Sequence, residues 1–567
     1  MTDGLGGPAA GRARRGRWVV LLTAVVAFFA HLPMVLAPFP LAGTEGHRVV
    51  PALRMADAMR EPKSSEHAVI IEWLVPHLFD QPYLRKPPLA YWGVAASDLA
   101  LAPLGVGEWR WRLPSLIAAV GTAAVVACYA TLAFDSEGGL VAGLAVPATV
   151  AWWSQSRLAD VDAVNTAFTA LATLATLHLA SGGRARHGLW VALGTSGLLL
   201  TKGPAGLPLV LGAIVAGGWR RPAAWVGLLA AFAAFASYAM AASAAASAAG
   251  IAVDATGVEE GLSNLLLDRQ KELLRAPLLL PTLLAVGLPT SGLLLAGMVG
   301  RLWRRDDQVK VETVRRERAL RGIAITLLVA GGVFLVTGTY NIRYGYVLVP
   351  ILAAGCAGIT LAPDGLQRWA LRVSAGLLAV AAVFAASVSF REGVTKALLV
   401  LCLSSLLATI VCRAAKCLAA SPGARAFAAM IVLAGGCSAL PFAHQRAERS
   451  ARAAAIAAQR VVGDLPVLTG RLGRSKPELF YYGSIETRLH ETNDFDLDEI
   501  PPGQWLLVDL KDMKKFHKAG WIAEADVGTY VPRAERTRHV TSMDLLGEPI
   551  YLVNFDGQNF DGHSVSD

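Results

Sequence analysis

The stretch Arg12-Ala13-Arg14-Arg15-Gly16-Arg17-Trp18-Val19-Val20-Leu21-Leu22 opens an apolar run that continues to about Ala37, and its reading decides the fold. Roughly 20 apolar residues suffice to cross a ~30 Å hydrocarbon core, so this run reads as a membrane helix. The four arginines ahead of it set its basic end inside. No small-residue cleavage site follows, so the helix is read as retained and not as a signal peptide. Working outward, comparable runs fall at 113–133, 138–153, 163–181, 188–200, 205–218, 223–247, 277–299, 322–338, 344–361, 373–389, 395–411 and 426–443. About thirteen spans are thus expected, with the N-terminus inside and the C-terminus outside.

Composition agrees with a polytopic helical membrane protein. The chain is 54% hydrophobic and only 17% charged, with mean hydropathy +0.47. The net charge of +9 does not argue for nucleic acid. Its arginines gather in loops around 184–186, 220–221, 301–321 and 368–372, which this topology puts inside, as the positive-inside rule requires. The exceptions are Arg391 with Lys396, and Arg446, Arg449 and Arg452 after the last span.

Three regions follow: a basic cytoplasmic N-terminus (1–17), a membrane domain (18–449) and a polar C-terminal region (450–567). Within the membrane domain, 38–112 is a long outer loop. Its apolar segment Leu89–Leu104 is short and carries Asp98, so it reads as a helix lying on the membrane surface. Past residue 450, β-prone runs at 466–469, 478–482, 504–509, 528–531 and 549–553 predict a small α/β domain on the outer face. All six cysteines lie in or beside spans, which indicates neither a disulfide framework nor a CxxC metal site.

The topology gathers ionisable residues from separate loops at the outer face: Glu45, Lys86, Asp160, Asp162, Lys202, Arg275 and Arg343. Charge near lipid is costly, so such a cluster marks a functional site. Glu45, in Gly43-Thr44-Glu45-Gly46, could take a proton from an acceptor hydroxyl; an ordinary solvated loop glutamate is the competing reading. Pro82-Tyr83-Leu84-Arg85-Lys86-Pro87-Pro88 would hold Tyr83, Arg85 and Lys86 on a stiff backbone suited to phosphate oxygens, or form a solvated turn. Asp160 and Asp162 diverge by about 200° on a helix, so one is expected to be structural, such as an N-cap. Lys202, on the turn Thr201-Lys202-Gly203-Pro204, either snorkels to headgroups or holds an anion. Arg343-Tyr344-Gly345-Tyr346 adds a cation, with tyrosines that also suit interfacial anchors.

The run Glu72-Trp73-Leu74-Val75-Pro76-His77-Leu78, followed by Pro82 through Trp92, closely resembles the first outer loop of bacterial aminoarabinose lipid A transferases. These belong to the GT-C superfamily, which also holds the protein O-mannosyltransferases. The resemblance continues in order through 159–168, Thr201-Lys202-Gly203, Arg275-Ala276-Pro277, Gly287-Leu288-Pro289 and 346–353. It implies a GT-C fold and an inverting transfer of sugar from a polyprenyl-phosphate donor to a lipid A, glycan or protein acceptor. It further implies that Lys86, Lys202 and Arg275 hold the donor phosphate, with Tyr83, Arg85 and Arg343 near it. The family opens its first loop with an acidic pair; here the pair reads Thr44-Glu45. Either Glu45 or Asp162 therefore inherits the role of base. The lipid A enzymes bind zinc through a glutamate and a histidine at the positions of Arg85 and Leu274. Those ligands are replaced here, so no metal or other cofactor is expected.

No GxxxxGK[ST] phosphate loop occurs anywhere in the chain, as suits a donor that arrives through the membrane with its polyprenyl chain among lipids and helices. A transporter or flippase would carry its ionisable residues mid-span, whereas here they lie at span ends. A glycan polymerase or ligase uses similar donors, and the first-loop motif is what favours the transferase over it. High Ala, Gly and Arg content suggests a GC-rich bacterial genome, hence an inner membrane protein of the cell envelope with a periplasmic site.

Overall fold

The computed structural model describes residues 8–37, 39–41, 43–61, 66–79, 81–83, 86–249, 289–303, 311–336, 345–392, 394–417, 420–439 and 441–442, and a set of short segments between 455 and 555. The chain divides into two compact units, one formed by 1–37 and 84–443 and the other by 38–83 and 444–567. The first part of the outer loop thus groups with the C-terminal region, apart from the spans.

The first unit is a helical bundle. Among the described residues eight helical stretches are long and apolar enough to cross a membrane, and four further apolar helices are shorter: Leu89–Leu104, Thr290–Val299, Tyr346–Leu361 and Pro422–Cys437. The first helix, α1 (Pro8–Leu36), packs against α5 (Leu113–Ala133) and α6 (Ser136–Ala148). Small residues allow the close approach, as is general between membrane helices. Gly143 of α6 faces Thr23 and Ala127, and Gly435 lies on the backbone of Ala30.

The stretch Ala185–Val215 is apolar along 31 residues, yet it is not one long helix. It is α9 (Gly188–Lys202), a 3-10 turn (Gly203–Gly206) and α10 (Leu207–Val215). Its two halves run in opposite directions along α8 (Val161–Ala180). Gly194 lies on Ala172 and Gly197 on Phe168, after which Gly206 lies on Thr169 and Gly218 on Thr176. The reversal is made at Gly203, whose φ of +67° suits a residue without a side chain. The separate fifth and sixth spans read from the sequence are therefore present as a hairpin.

The same alternation sorts charge between the two ends of this bundle. At one end Asp135 pairs with Arg316 at 2.9 Å, Gln367 donates to Glu137 at 3.1 Å, and Arg221 approaches Gly182. At the opposite end His31 of α1 meets Ser156, Ser115 of α5 donates to the Leu158 carbonyl, and Lys202 meets Asp162. This second end carries the candidate site.

Asp98 explains how the short helix α4 (Leu89–Leu101) is fixed there. Its carboxylate is 1% exposed and accepts hydrogen bonds from Arg110 Nε and Trp111 Nε1, both at 2.6 Å. Ser97 Oγ donates to the Arg110 carbonyl at 2.5 Å. An acid that looked out of place in an apolar segment is thus a buried staple to the 3-10 turn Glu108–Arg112 that leads into α5.

In the second unit, α2 (Gly46–Arg60) and α3 (Glu66–Leu74) pack together. The C-terminal region holds a five-stranded mixed sheet, in spatial order Thr487–Leu489, Val467–Thr469, Trp505–Asp509, Glu548–Phe555, Thr537–Leu545. The first three strands are parallel and the last two antiparallel to their neighbours. The predicted strands at 466–469, 504–509 and 549–553 coincide with sheet strands. The one predicted at 478–482 does not form at Tyr481, which is helical; its other residues lie outside the described set.

Candidate active site

The site end of the bundle is built where α8 begins and α9 ends. Asp160 is the N-cap of α8, with φ −130° and ψ 165°, and its Oδ1 accepts from the Val161 N–H at 2.7 Å. It is the structural member of the acidic pair. Asp162, in the first turn, points instead to Lys202 in the last turn of α9, whose Nζ donates to Asp162 Oδ1. The two side chains are 4% and 8% exposed, so this is a buried ion pair. The antiparallel register of α8 and α9 brings together residues 40 positions apart. A carboxylate at a helix N-terminus and a cation at a helix C-terminus are each favoured by the peptide dipoles.

Lys86 belongs to the same unit and is half-buried, just ahead of α4. Pro88 is the N-cap of α4 in helical conformation (φ −83°, ψ −12°), so the paired prolines lead into a helix. Tyr346 is 5% exposed and packs in the core with the 3-10 turn Tyr346–Leu348 against α8, so it is no interfacial anchor. Arg85, Arg275 and Arg343 lie outside the described residues, as does Leu274.

Glu45 belongs to the second unit and is fully buried. It sits at the N-cap of α2 without capping it by its side chain. Next to it in sequence, His47 lies 6.0 Å from the Tyr83 ring, centroid to centroid, and Tyr83 N–H donates to the Pro76 carbonyl at 2.6 Å. In the first-loop motif, Glu72 accepts from Arg54 Nε at 2.8 Å and lies 3.2 Å from His77 Nδ1. Burial acts to raise the Glu72 pKa, but hydrogen bonds and charge from His77 and Arg54 outweigh it and hold the carboxyl below its ordinary value. Glu72 and His77 therefore brace the loop, which accounts for their place in the motif.

The sequence places Arg157, which is 1% exposed, with Asp160 and Asp162 at the junction of two spans without giving it a role, and it does not single out Arg112, which is wholly buried. Both lie near a span end, a position shared with ordinary orientation signals. Periodicity alone does not separate the two.

Comparisons with known proteins bear on the fold. Residues 85–240 match a family model described as dolichyl-phosphate-mannose-protein mannosyltransferase, a segment that contains Lys86, Asp160, Asp162 and Lys202. The structure is similar to that of ArnT from Cupriavidus metallidurans bound to undecaprenyl phosphate, with a TM-score of 0.63 at 15% identity, over 95% of this chain and 98% of that one. The apo state of the same ArnT matches with a TM-score of 0.62 at 16% identity, over the same shares. No curated protein matches the chain by sequence. The chain is thus a multi-pass membrane protein with a GT-C fold like that of ArnT.

Proposed function

We propose that this protein transfers a sugar from a polyprenyl-phosphate donor to a hydroxyl-bearing acceptor, lipid, glycan or protein. The observation that carries the reading is the buried Asp162–Lys202 pair, seated at one bundle end within the segment matching the mannosyltransferase family. In this reaction the bond from the anomeric carbon to the phosphate oxygen breaks, and its electron pair stays on the phosphate. The acceptor oxygen forms the new bond to that carbon with inversion, and its proton goes to a carboxylate. Lys202 and Lys86 stabilise the charge that develops on the leaving phosphate, with Arg275, Arg343, Arg85 and Tyr83 in supporting roles.

Asp162 positions Lys202 by ion pairing. That pairing occupies the carboxylate, so the proton is assigned to Glu45. The reaction is proposed to be metal-independent, because Arg85 and Leu274, where the lipid A transferases carry zinc ligands, offer an arginine and an aliphatic side chain. We place the protein in a bacterial inner membrane, N-terminus inside, with the Lys202 end of the bundle facing the periplasm.

The test is transfer of label from a radiolabelled polyprenyl-phosphate sugar by purified protein, with cell extract as acceptor source. Glu45→Gln is expected to slow transfer on the order of 10²-fold or more with donor binding kept, while Asp162→Asn and Lys86→Ala weaken donor binding. The reverse split, with Asp162→Asn abolishing turnover on bound donor, would move the base to Asp162. Full activity in all three would remove the proposed site.

A further inference from the structure

Arg157 lies between α7 (Val150–Gln155) and α8, at the site end of the bundle, and is 1% exposed. Trp153 and Phe442 place their rings 5.3 and 5.5 Å from its guanidinium carbon. Among the described residues, neither Nε nor Nη2 of this side chain has a hydrogen-bond partner, although both atoms are buried. These two nitrogens form one edge of the planar guanidinium, with parallel N–H bonds that match two oxygens of a single phosphate or carboxylate. Aromatic rings supply attraction through their faces but accept none of these N–H bonds in plane.

Two neighbours in chain or space are also incompletely satisfied. Among the described residues Gln155 Oε1 is buried without a partner, and so is His31 Nε2, while His31 Nδ1 lies 3.0 Å from Ser156 Oγ. Burying a guanidinium without an acceptor is strongly unfavourable. A structural arginine would have its fork on a carbonyl or carboxylate, as Arg110 does on Asp98 and the Val106 carbonyl.

We infer that the Nε–Nη2 edge of Arg157 is a seat for an oxyanion of the phosphate type, distinct in its residues from the Asp162–Lys202 pair. The phosphate belongs either to a lipid headgroup or to a free or acceptor-borne phosphate, and the chemistry of the seat is common to both. This inference does not depend on which carboxylate serves as base or on whether sugar transfer is the reaction.

The experiment is a thermal-unfolding titration of the purified full-length protein in detergent, with inorganic phosphate, pyrophosphate and undecaprenyl phosphate as probes. It compares wild type with Arg157→Lys, Arg157→Met and Lys202→Met. At least one probe is expected to raise the wild-type midpoint. Arg157→Lys, which keeps the charge but not the fork, should weaken that probe at least tenfold, and Arg157→Met should abolish its effect. Without probe, Arg157→Met should unfold no earlier than wild type, since it removes an unpaired buried charge. In Lys202→Met the response to that probe should persist. Response to undecaprenyl phosphate alone would assign the seat to a lipid headgroup; response to all three, to phosphate in general. The inference is overturned if no probe shifts wild type, if Arg157→Lys binds as tightly as wild type, if Arg157→Met is destabilised with and without probe alike, or if Lys202→Met alone loses the response.

Discussion

The Asp162–Lys202 pair gives the sharpest quantitative prediction. Both side chains are more than nine-tenths buried, so removing either takes from the other buried charge its ion-pair partner. For such a pair the loss on breaking is about 3–5 kcal/mol, well above the ~0–1 kcal/mol of a surface ion pair. Asp162→Asn and Lys202→Met are each expected to cost about that much, to which Asp162 adds ~0.3–1 kcal/mol for its place in the first turn of α8. The double variant removes both charges and leaves only an unpaired amide, costing about 1–3 kcal/mol. The singles together sum to roughly 6–10 kcal/mol, so the coupling between the sites should be at least about 3 kcal/mol. Equilibrium unfolding in mixed micelles titrated with dodecyl sulfate measures all four corners of this cycle. Additive costs, with each single below about 1 kcal/mol, would refute the buried-pair reading and with it the positioning role of Asp162. A double variant that is stable yet cannot bind donor would separate the structural contribution of the pair from its functional one.

Other expectations follow from the same geometry. Asp98→Ala should destabilise the bundle by about 3–5 kcal/mol, because it removes the carboxylate that accepts from Arg110 Nε and the Trp111 indole N–H, and limited proteolysis between residues 101 and 112 should detect the loosened turn. The Glu72 carboxyl is held below its ordinary pKa in the folded protein, so its contribution to stability is present above the unfolded-state value and is lost as pH falls through the folded one. Glu72→Gln should flatten the acid limb of a stability–pH profile, and an unchanged limb would show that Arg54 and His77 do not act through this carboxylate. Transfer activity should survive a strong chelator, measured on protein purified without added metal; loss on chelation with recovery by zinc would contradict metal-independent chemistry.

Much of this protein is legible in its sequence because the membrane constrains it so tightly. Arginines before Trp18 and in the loops near 184, 220 and 301 suffice to order the spans, since positive charge and apolar length are properties of the chain itself. The hairpin at Gly203 was readable for the same reason, as Lys202-Gly203-Pro204 interrupts an apolar run with residues that favour a turn. The divergence of Asp160 and Asp162 was fixed by helical periodicity, which required different roles for the two acids. Which one caps and which one pairs was decided only by the tertiary structure. The N-cap geometry at Asp160 and the antiparallel packing of α8 on α9 depend on glycines 194 and 197 meeting Ala172 and Phe168 across the interface. Partners apart in sequence leave no local signal, so only the fold shows Arg110 and Trp111 closing on Asp98. Only the fold shows that Arg157 is buried and that, among the described residues, one edge of its guanidinium has no acceptor. Apolar length and charge order are written along the chain, but burial and pairing exist only once the helices have packed.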